Sequence, residues 1–324
     1  MTNRRSFIWA ATAATAATAS AATFPSLSAR LAAAEPSTPE LPVRFSLNTS
    51  TIRGQNLSIE KQVDVTAAAG YDGIEPWMRD IETFLAEGGK LGDLRKRIED
   101  AGLFVASAIG FANWISDDDQ QRRAGLEAAR HDMELVAGLG GKLIAAPPIG
   151  AHRGGSVSPP LELVAERYRA LCEIGASVGV QPQLELWGFS PTLSKLGELA
   201  YVATAAAHPA ACVLPDFYHI YKGGNDFAGL SMIEASKMLC FHINDYPADP
   251  PQDKIADKDR VFPGDGVCPL PTIIRGLIDN GFTGTFSLEL FNPEYWKRDA
   301  LAVAREGLEK SKAVVQQALS LSVG

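Results

Sequence analysis

The chain has 324 residues and a formal net charge of −8, with 30 Lys and Arg against 38 Asp and Glu. That acidic balance excludes the usual nucleic-acid binder, whose phosphate partner demands the opposite sign. The length exceeds a small domain, yet one α/β barrel uses about 250 residues, so a single large domain suffices.

Residues 1–34 have the layout of an export signal. Asn3-Arg4-Arg5-Ser6-Phe7-Ile8 resembles a twin-arginine signal, an Ala/Thr run from Ala10 to Ala22 forms a weakly apolar centre, and Ala32-Ala33-Ala34 offers small residues for cleavage. The run is short of the roughly 20 strongly apolar residues a membrane span needs, so no stable span is expected in the mature protein. Removing this segment takes away Arg4, Arg5 and Arg30 and no acid, which moves the formal charge from −8 to −11. The twin-arginine route carries folded proteins, so a periplasmic or otherwise exported protein loaded with its cofactor beforehand is expected. Residues 35–42 read as a linker and 43–320 as the folded domain.

From Val43 onward, short apolar or β-branched runs alternate with stretches of helical period, which predicts repeated βα units on a parallel sheet. The predicted strands are Arg44 to Asn48, Gly73 to Trp77, Phe104 to Ile109, Lys142 to Ala146, Gln183 to Trp187, Cys212 to Asp216, Leu239 to Asn244 and Thr285 to Phe291. Predicted helices include Ile59 to Ala69, Leu91 to Ala101, Arg122 to Leu139, Leu161 to Val178, Leu193 to Ala207, Pro271 to Asn280 and Asp299 to Leu319. Eight such units close a (β/α)8 TIM barrel, an α/β fold in one domain. Gly70, Gly102 and Gly281 follow helices where a left-handed C-cap is expected. Cys172, Cys212, Cys240 and Cys268 show no C-x-x-C spacing and read as buried free thiols, with a disulfide possible in an oxidising compartment.

Polar residues interrupt the late strands. Side chains alternate along a strand, so Glu185 in Gln183-Leu184-Glu185-Leu186-Trp187 and Glu289 in Ser287-Leu288-Glu289-Leu290-Phe291 face inward while their leucine neighbours face the helices. His242 points inward by the same count, and Asp216 ends its strand. Three carboxylates and an imidazole thus converge from adjacent strands, with no Lys or Arg expected beside them. Buried like charges need neutralising, which a divalent cation does directly. The ligand set Glu185, Asp216, His242 and Glu289 is oxygen-rich and free of thiolate, favouring Mn²⁺, with Mg²⁺, Co²⁺ or Zn²⁺ also compatible.

These residues carry a family resemblance. Asp259-Arg260-Val261-Phe262-Pro263-Gly264-Asp265-Gly266, the run from Ser287 to Tyr295, Asp216-Phe217-Tyr218-His219 and His242-Ile243-Asn244-Asp245 resemble the xylose isomerase-like TIM-barrel family of sugar isomerases and epimerases, nearest to inosose (2-keto-myo-inositol) isomerases. The resemblance implies that Glu185, Asp216, His242 and Glu289 bind the metal and that Glu185 and Glu289 form the acid/base pair.

Such a site implies a metal-dependent isomerase or epimerase of a keto-sugar or inosose, acting by proton abstraction next to a carbonyl through a metal-stabilised enediolate. Two other readings compete: a 3-keto-glycoside lyase, in which the same enolate expels a β-leaving group, and a non-catalytic sugar-binding barrel. The partner is a small sugar or cyclitol rather than a nucleic acid. Substrate contacts are expected from Asn48 and Glu75 at the first two strand ends, from His219 and Arg260, and from Trp114 and Trp187 as flat faces for sugar C–H groups. No feature of the sequence sets the oligomeric state.

Overall fold

The structure is a computed structural model that describes residues 41–153 and 158–322; the expected export signal and most of the linker lie outside them. The strands are β1 Arg44–Asn48, β2 Gly73–Glu75, β3 Phe104–Val105, β4 Leu143–Ala146, β5 Gln181–Glu185, β6 Cys212–Leu214, β7 Cys240–Ile243 and β8 Thr285–Leu288. All their pairings are parallel. Continuous ladders run in the orders β3-β2-β1-β8-β7 and β4-β5-β6. The two arcs meet through single bonds and bridges. Ala145 N donates to Ala108 O at 2.8 Å beside β4, and Val213 with Met238 and Asp216 with His242 bridge β6 to β7. The eight strands thereby close into the expected TIM barrel.

Several strands are shorter than the alternation suggests. The segment from Phe104 to Ile109 holds ladder pairing only over Phe104–Val105, and β8 stops at Leu288, although Glu289 N still donates to Ile243 O at 3.2 Å. β5 begins at Gln181, two residues before the expected start. A shift of two preserves parity, so Glu185 keeps its inward face. Helices Ile59–Ala69 and Leu161–Val178 have their expected bounds. The short helices Met78–Ala86, Phe217–Lys222 and Pro293–Trp296 were not expected, because so few turns show little helical period.

Alternation decides what the barrel encloses. Leu47, Ile74, Leu184, Val213, Phe241, Phe286 and Leu288 belong to one large apolar cluster between sheet and helices, each such side chain contributing about 1.5–3 kcal/mol by leaving water. Their neighbours Ser46, Asn48, Glu75, Gln183, Glu185, His242 and Ser287 are buried polar residues. A second, small cluster of Trp77, Ile109, Ala145, Leu214 and Cys240 supplies apolar filling apart from the first. Gln183 Nε2 donates to Ser107 Oγ at 3.0 Å, one of the bonds that make this polar packing tolerable. All four cysteines are buried and free.

Asp132, buried on helix Asp119–Gly138, stands apart from these polar groups. Burial, followed by the charge of Glu82, pushes its carboxyl up to about 6, with His131 opposing. A carboxyl raised on folding contributes stability that is present below the unfolded value near 4 and is lost as pH rises through about 6. Asp132→Asn is therefore expected to flatten the fall in melting temperature between pH 4 and pH 7 and to gain about 1–2 kcal/mol at pH 8 relative to the parent. Denaturant titrations of both proteins across that range check this.

Candidate metal and substrate site

The site is built on the carboxyl ends of the late strands. Asp216, just past β6, caps helix Phe217–Lys222: its Oδ1 accepts from His219 N at 2.8 Å. Its other oxygen, Oδ2, turns to the mouth, where Asn244 Nδ2 donates to it at 3.1 Å. On β7, His242 places Nε2 at 3.1 Å from Glu75 Oε2. Glu75 also accepts from Asn48 Nδ2 at 2.9 Å and Ser287 Oγ at 2.6 Å. A carboxylate so held takes a proton donor from the imidazole, which assigns the hydrogen to Nε2 and leaves Nδ1 with its lone pair.

That lone pair faces acid. His242 Nδ1 lies 3.2 Å from Glu289 Oε2, 3.6 Å from Asp216 Oδ2 and 3.9 Å from Glu185 Oε1, yet this buried atom has no hydrogen-bond partner. Asp216, His242 and Glu289 each offer one ligand atom within 4.8 Å of the others. Glu185 stands at the margin of this group. An orphaned imidazole nitrogen among carboxylate oxygens, with no sulfur in the set, fits a divalent cation.

The acids around Nδ1 favour a positive charge there, which either a cation on the lone pair or a second proton on the ring supplies. Burial would lower the His242 imidazole, but Glu289 and Glu75 push it well above the ordinary histidine range. Burial would raise Glu75, yet His242 holds it below the usual carboxylate value. Asp216 is likewise held low against its burial, by Arg260 and then His219. Glu185 goes the other way, pushed up to about 8 by burial, with His242 opposing and Glu289 adding. The cluster is short of positive charge at the Glu185 edge.

One expectation is overturned here: a cation from the protein does reach the acids. Arg260 Nη1 donates to both Asp216 Oδ2 and Glu289 Oε2 at 2.9 Å, while Nη2 donates to Asp257 Oδ1 at 2.6 Å and lies 3.0 Å from His219 Nε2. Tyr218 and Phe291 sandwich its guanidinium at 4.3 and 5.1 Å. No strand carries Arg260, which is why strand reading misses it. The loop after β7 folds back, and Val261 pairs antiparallel with Asp245 through bonds of 2.9 and 3.0 Å. Asp245 then accepts from the amides of Gly264 and Cys268. At Gly266 an added Cβ would sit 2.2 Å from Asp245 Oδ1, so the turn closes only around glycine.

The other expected contacts divide. Trp187, His219 and Arg260 line the mouth cavity together with Glu185 and Glu289. Asn48 and Glu75 are fully buried beneath it; Asn48 Nδ2 donates to Glu75 and, at 3.1 Å, to Glu289 Oε1, while Trp77 Nε1 donates to Asn48 Oδ1 at 2.9 Å. They position the acids rather than face solvent. Trp114 does not line the mouth. Its Nε1 donates to Pro147 O at 2.7 Å and its ring packs on Tyr168, because the loop carrying it tucks under helix Asp119–Gly138 rather than over the barrel. Trp77, Phe111, Phe189 and Asp257 line the cavity without having been expected; Trp77 lies two residues past Glu75, as Trp187 does past Glu185, and that spacing was the available signal.

Comparison with known proteins agrees with this architecture. The chain is 27% identical to an inosose isomerase of Bacillus velezensis over 81% of its own length and 94% of the relative's. It is 25% identical to a fructoselysine 3-epimerase of Escherichia coli O157:H7 over 81% of this chain and 96% of that one. Among solved structures it is similar to the IOLI protein crystallised with a bound zinc atom, with a TM-score of 0.80, 22% identity, and coverage of 86% of this chain and 100% of that one. Residues 63–314 match the xylose isomerase-like TIM barrel family, to which the chain belongs.

Proposed function

We propose that this protein is a divalent-metal-dependent isomerase or epimerase of a keto-sugar or inosose, acting by proton abstraction next to a carbonyl. The observation that carries the proposal is the buried, unpartnered Nδ1 of His242 facing Glu289, Asp216 and Glu185. The activities named for the inosose isomerase and the fructoselysine 3-epimerase support the reaction class.

Asp216, His242, Glu289 and Glu185 are the residues that would hold the cation. Mn²⁺ suits the oxygen-rich set, and the zinc of the similar solved structure makes Zn²⁺ the main competitor. When bound, the cation polarises the substrate carbonyl and balances the charge of the enediolate. Glu185 and Glu289 both open onto the mouth cavity, so one can take the proton beside the carbonyl while the other returns it. Arg260 lines the same wall with donors for substrate oxygens, and His219, whose Nε2 faces the Arg260 guanidinium, holds it there. The Arg4-Arg5 segment, outside the described residues, supports export of the folded, loaded protein.

Protein isolated from the periplasmic fraction is expected to carry one divalent cation per chain by elemental analysis. In D₂O it is expected to place deuterium on the carbon beside the carbonyl of a keto-sugar or inosose, and to lose this on chelation. Protein that binds sugars but exchanges no proton with any of Mn²⁺, Zn²⁺, Co²⁺ or Mg²⁺ would be a binding barrel instead.

A further inference from the structure

The barrel is also open at the end opposite the acids. Side chains ordinarily fill a barrel's interior to both ends, but here the floor holds a cavity of about 340 Å³ walled by Arg44, Phe104, Leu143, Met238 and Thr285, with the exposed Lys142 beside them. Alternation places these residues. Arg44 shares the inward face of β1 with Ser46 and Asn48, and Thr285 shares that of β8 with Ser287. From Thr285 to Glu289 the chain advances about 13 Å, at roughly 3.3 Å per residue, so the floor is a separate place from the acid cluster.

The charge of this cavity runs against that of the molecule. Asp and Glu outnumber Lys and Arg by 38 to 30, yet the residues lining the floor include Arg44 and Lys142 and no acid. Arg44 lays its guanidinium over the Phe104 ring at 4.1 Å, which fixes its plane and leaves its N–H edge uncommitted. Helix cations such as Arg95, Arg97 and Arg275 are paired with carboxylates; among the described residues Arg44 and Lys142 have no such partner. Glu234, two residues before the lining residue Ser236, accepts from Ser236 Oγ at 2.7 Å and lines a different cavity. Two cations facing one cleft without a counter-charge repel each other and concentrate anions there.

We propose that the floor of the barrel is a binding site for a tetrahedral oxyanion, inorganic phosphate or a phosphate monoester, held between the Arg44 guanidinium and the Lys142 ammonium. The stacked fork of Arg44 offers paired N–H donors that match two phosphate oxygens, and Lys142 supplies a point charge. Thr283 and Thr285 bring hydroxyls to the same cavity, and Leu143 and Met238 leave an apolar side for the alcohol part of an ester. The site goes beyond the proposed isomerase chemistry and does not depend on it.

Isothermal titration of the full chain as isolated, with inorganic phosphate and with glycerol 3-phosphate at an ionic strength held constant by sodium chloride, tests the site directly. Saturable one-to-one binding is expected, and the tighter of the two probes identifies the free ion or the ester as the occupant. Arg44→Gln and Lys142→Gln are each expected to weaken it by at least about tenfold, the factor a hydrogen bond to a charged group commonly carries, and to leave the melting temperature without anion unchanged. Arg44→Lys, which keeps the charge but not the fork, is expected to recover part of the affinity. Lys142 is exposed, so Lys142→Gln keeps the test decisive even where loss of the Arg44 stack on Phe104 disturbs β1. Absence of saturable binding, affinity that both glutamine variants leave intact, or tighter binding of succinate than of either phosphate overturns the proposal.

Discussion

Glu185→Gln and Glu289→Gln are each expected to lower metal-dependent deuterium exchange by about 10²–10⁴-fold, the usual worth of a positioned acid or base. The substitutions keep the shape of the side chains and take away their proton chemistry. Both carboxylates open onto the mouth cavity, but they should fail differently. Glu289 Oε2 lies 3.2 Å from His242 Nδ1 and accepts from Arg260 Nη1, so Glu289→Gln should also weaken the metal. Glu185, at 3.9 Å from the same nitrogen and at the margin of the group, should leave most of the metal in place. Exchange rates in D₂O, read beside metal content and melting temperature, separate the two. A Glu185→Gln variant that keeps its metal, its melting temperature and its exchange rate would take Glu185 out of the acid/base pair.

The second large effect concerns a residue that never meets solvent. Glu75 is fully buried and accepts from Asn48 and Ser287 while fixing His242 through Nε2. Partners of this kind set the tautomer and aim of a metal-binding histidine, and altering them typically costs about 10–100-fold in metal affinity. Glu75→Gln, which keeps the acceptor oxygen but not the charge, is expected to lose about that much in a competitive metal titration. Glu75→Ala goes further, because it strands three buried donors at once; a loss of about 3–5 kcal/mol in denaturant unfolding is expected, whether or not metal is present. Unchanged metal affinity in Glu75→Gln would mean that His242 keeps its orientation through backbone packing alone.

Arg260 links both experiments. Its guanidinium spans Asp216 and Glu289, so the protein itself supplies part of the positive charge these acids need. A protein cation thus shares the task of neutralising the carboxylates gathered on the strand ends. Arg260 reaches neither His242 Nδ1, which has no hydrogen-bond partner, nor Glu185, whose carboxyl is pushed up to about 8 chiefly by burial.

What could be read from the amino-acid order was what obeys a local rule. Alternation along the strands was enough to turn Glu185, His242 and Glu289 to the inner face, and it survived β5 starting two residues early because side-chain direction depends only on parity. Helical period found Ile59–Ala69 and Leu161–Val178 to their last residues. Gly70, Gly102 and Gly281 adopt positive φ where the helix ends predicted it.

Tertiary structure alone decided the rest, for one physical reason: contacts between residues far apart in the chain leave no periodic trace in it. Glu75 and His242 are 167 positions apart, and no local pattern announces that their side chains meet. Arg260 reaches the acids only because the loop behind it pairs back onto Asp245 and closes at Gly266. Trp114 and Phe111 lie three residues apart on one loop, yet the first is buried under a helix while the second stands on the mouth. Local chemistry chose which residues face inward; the path of the loops chose which of them share a site.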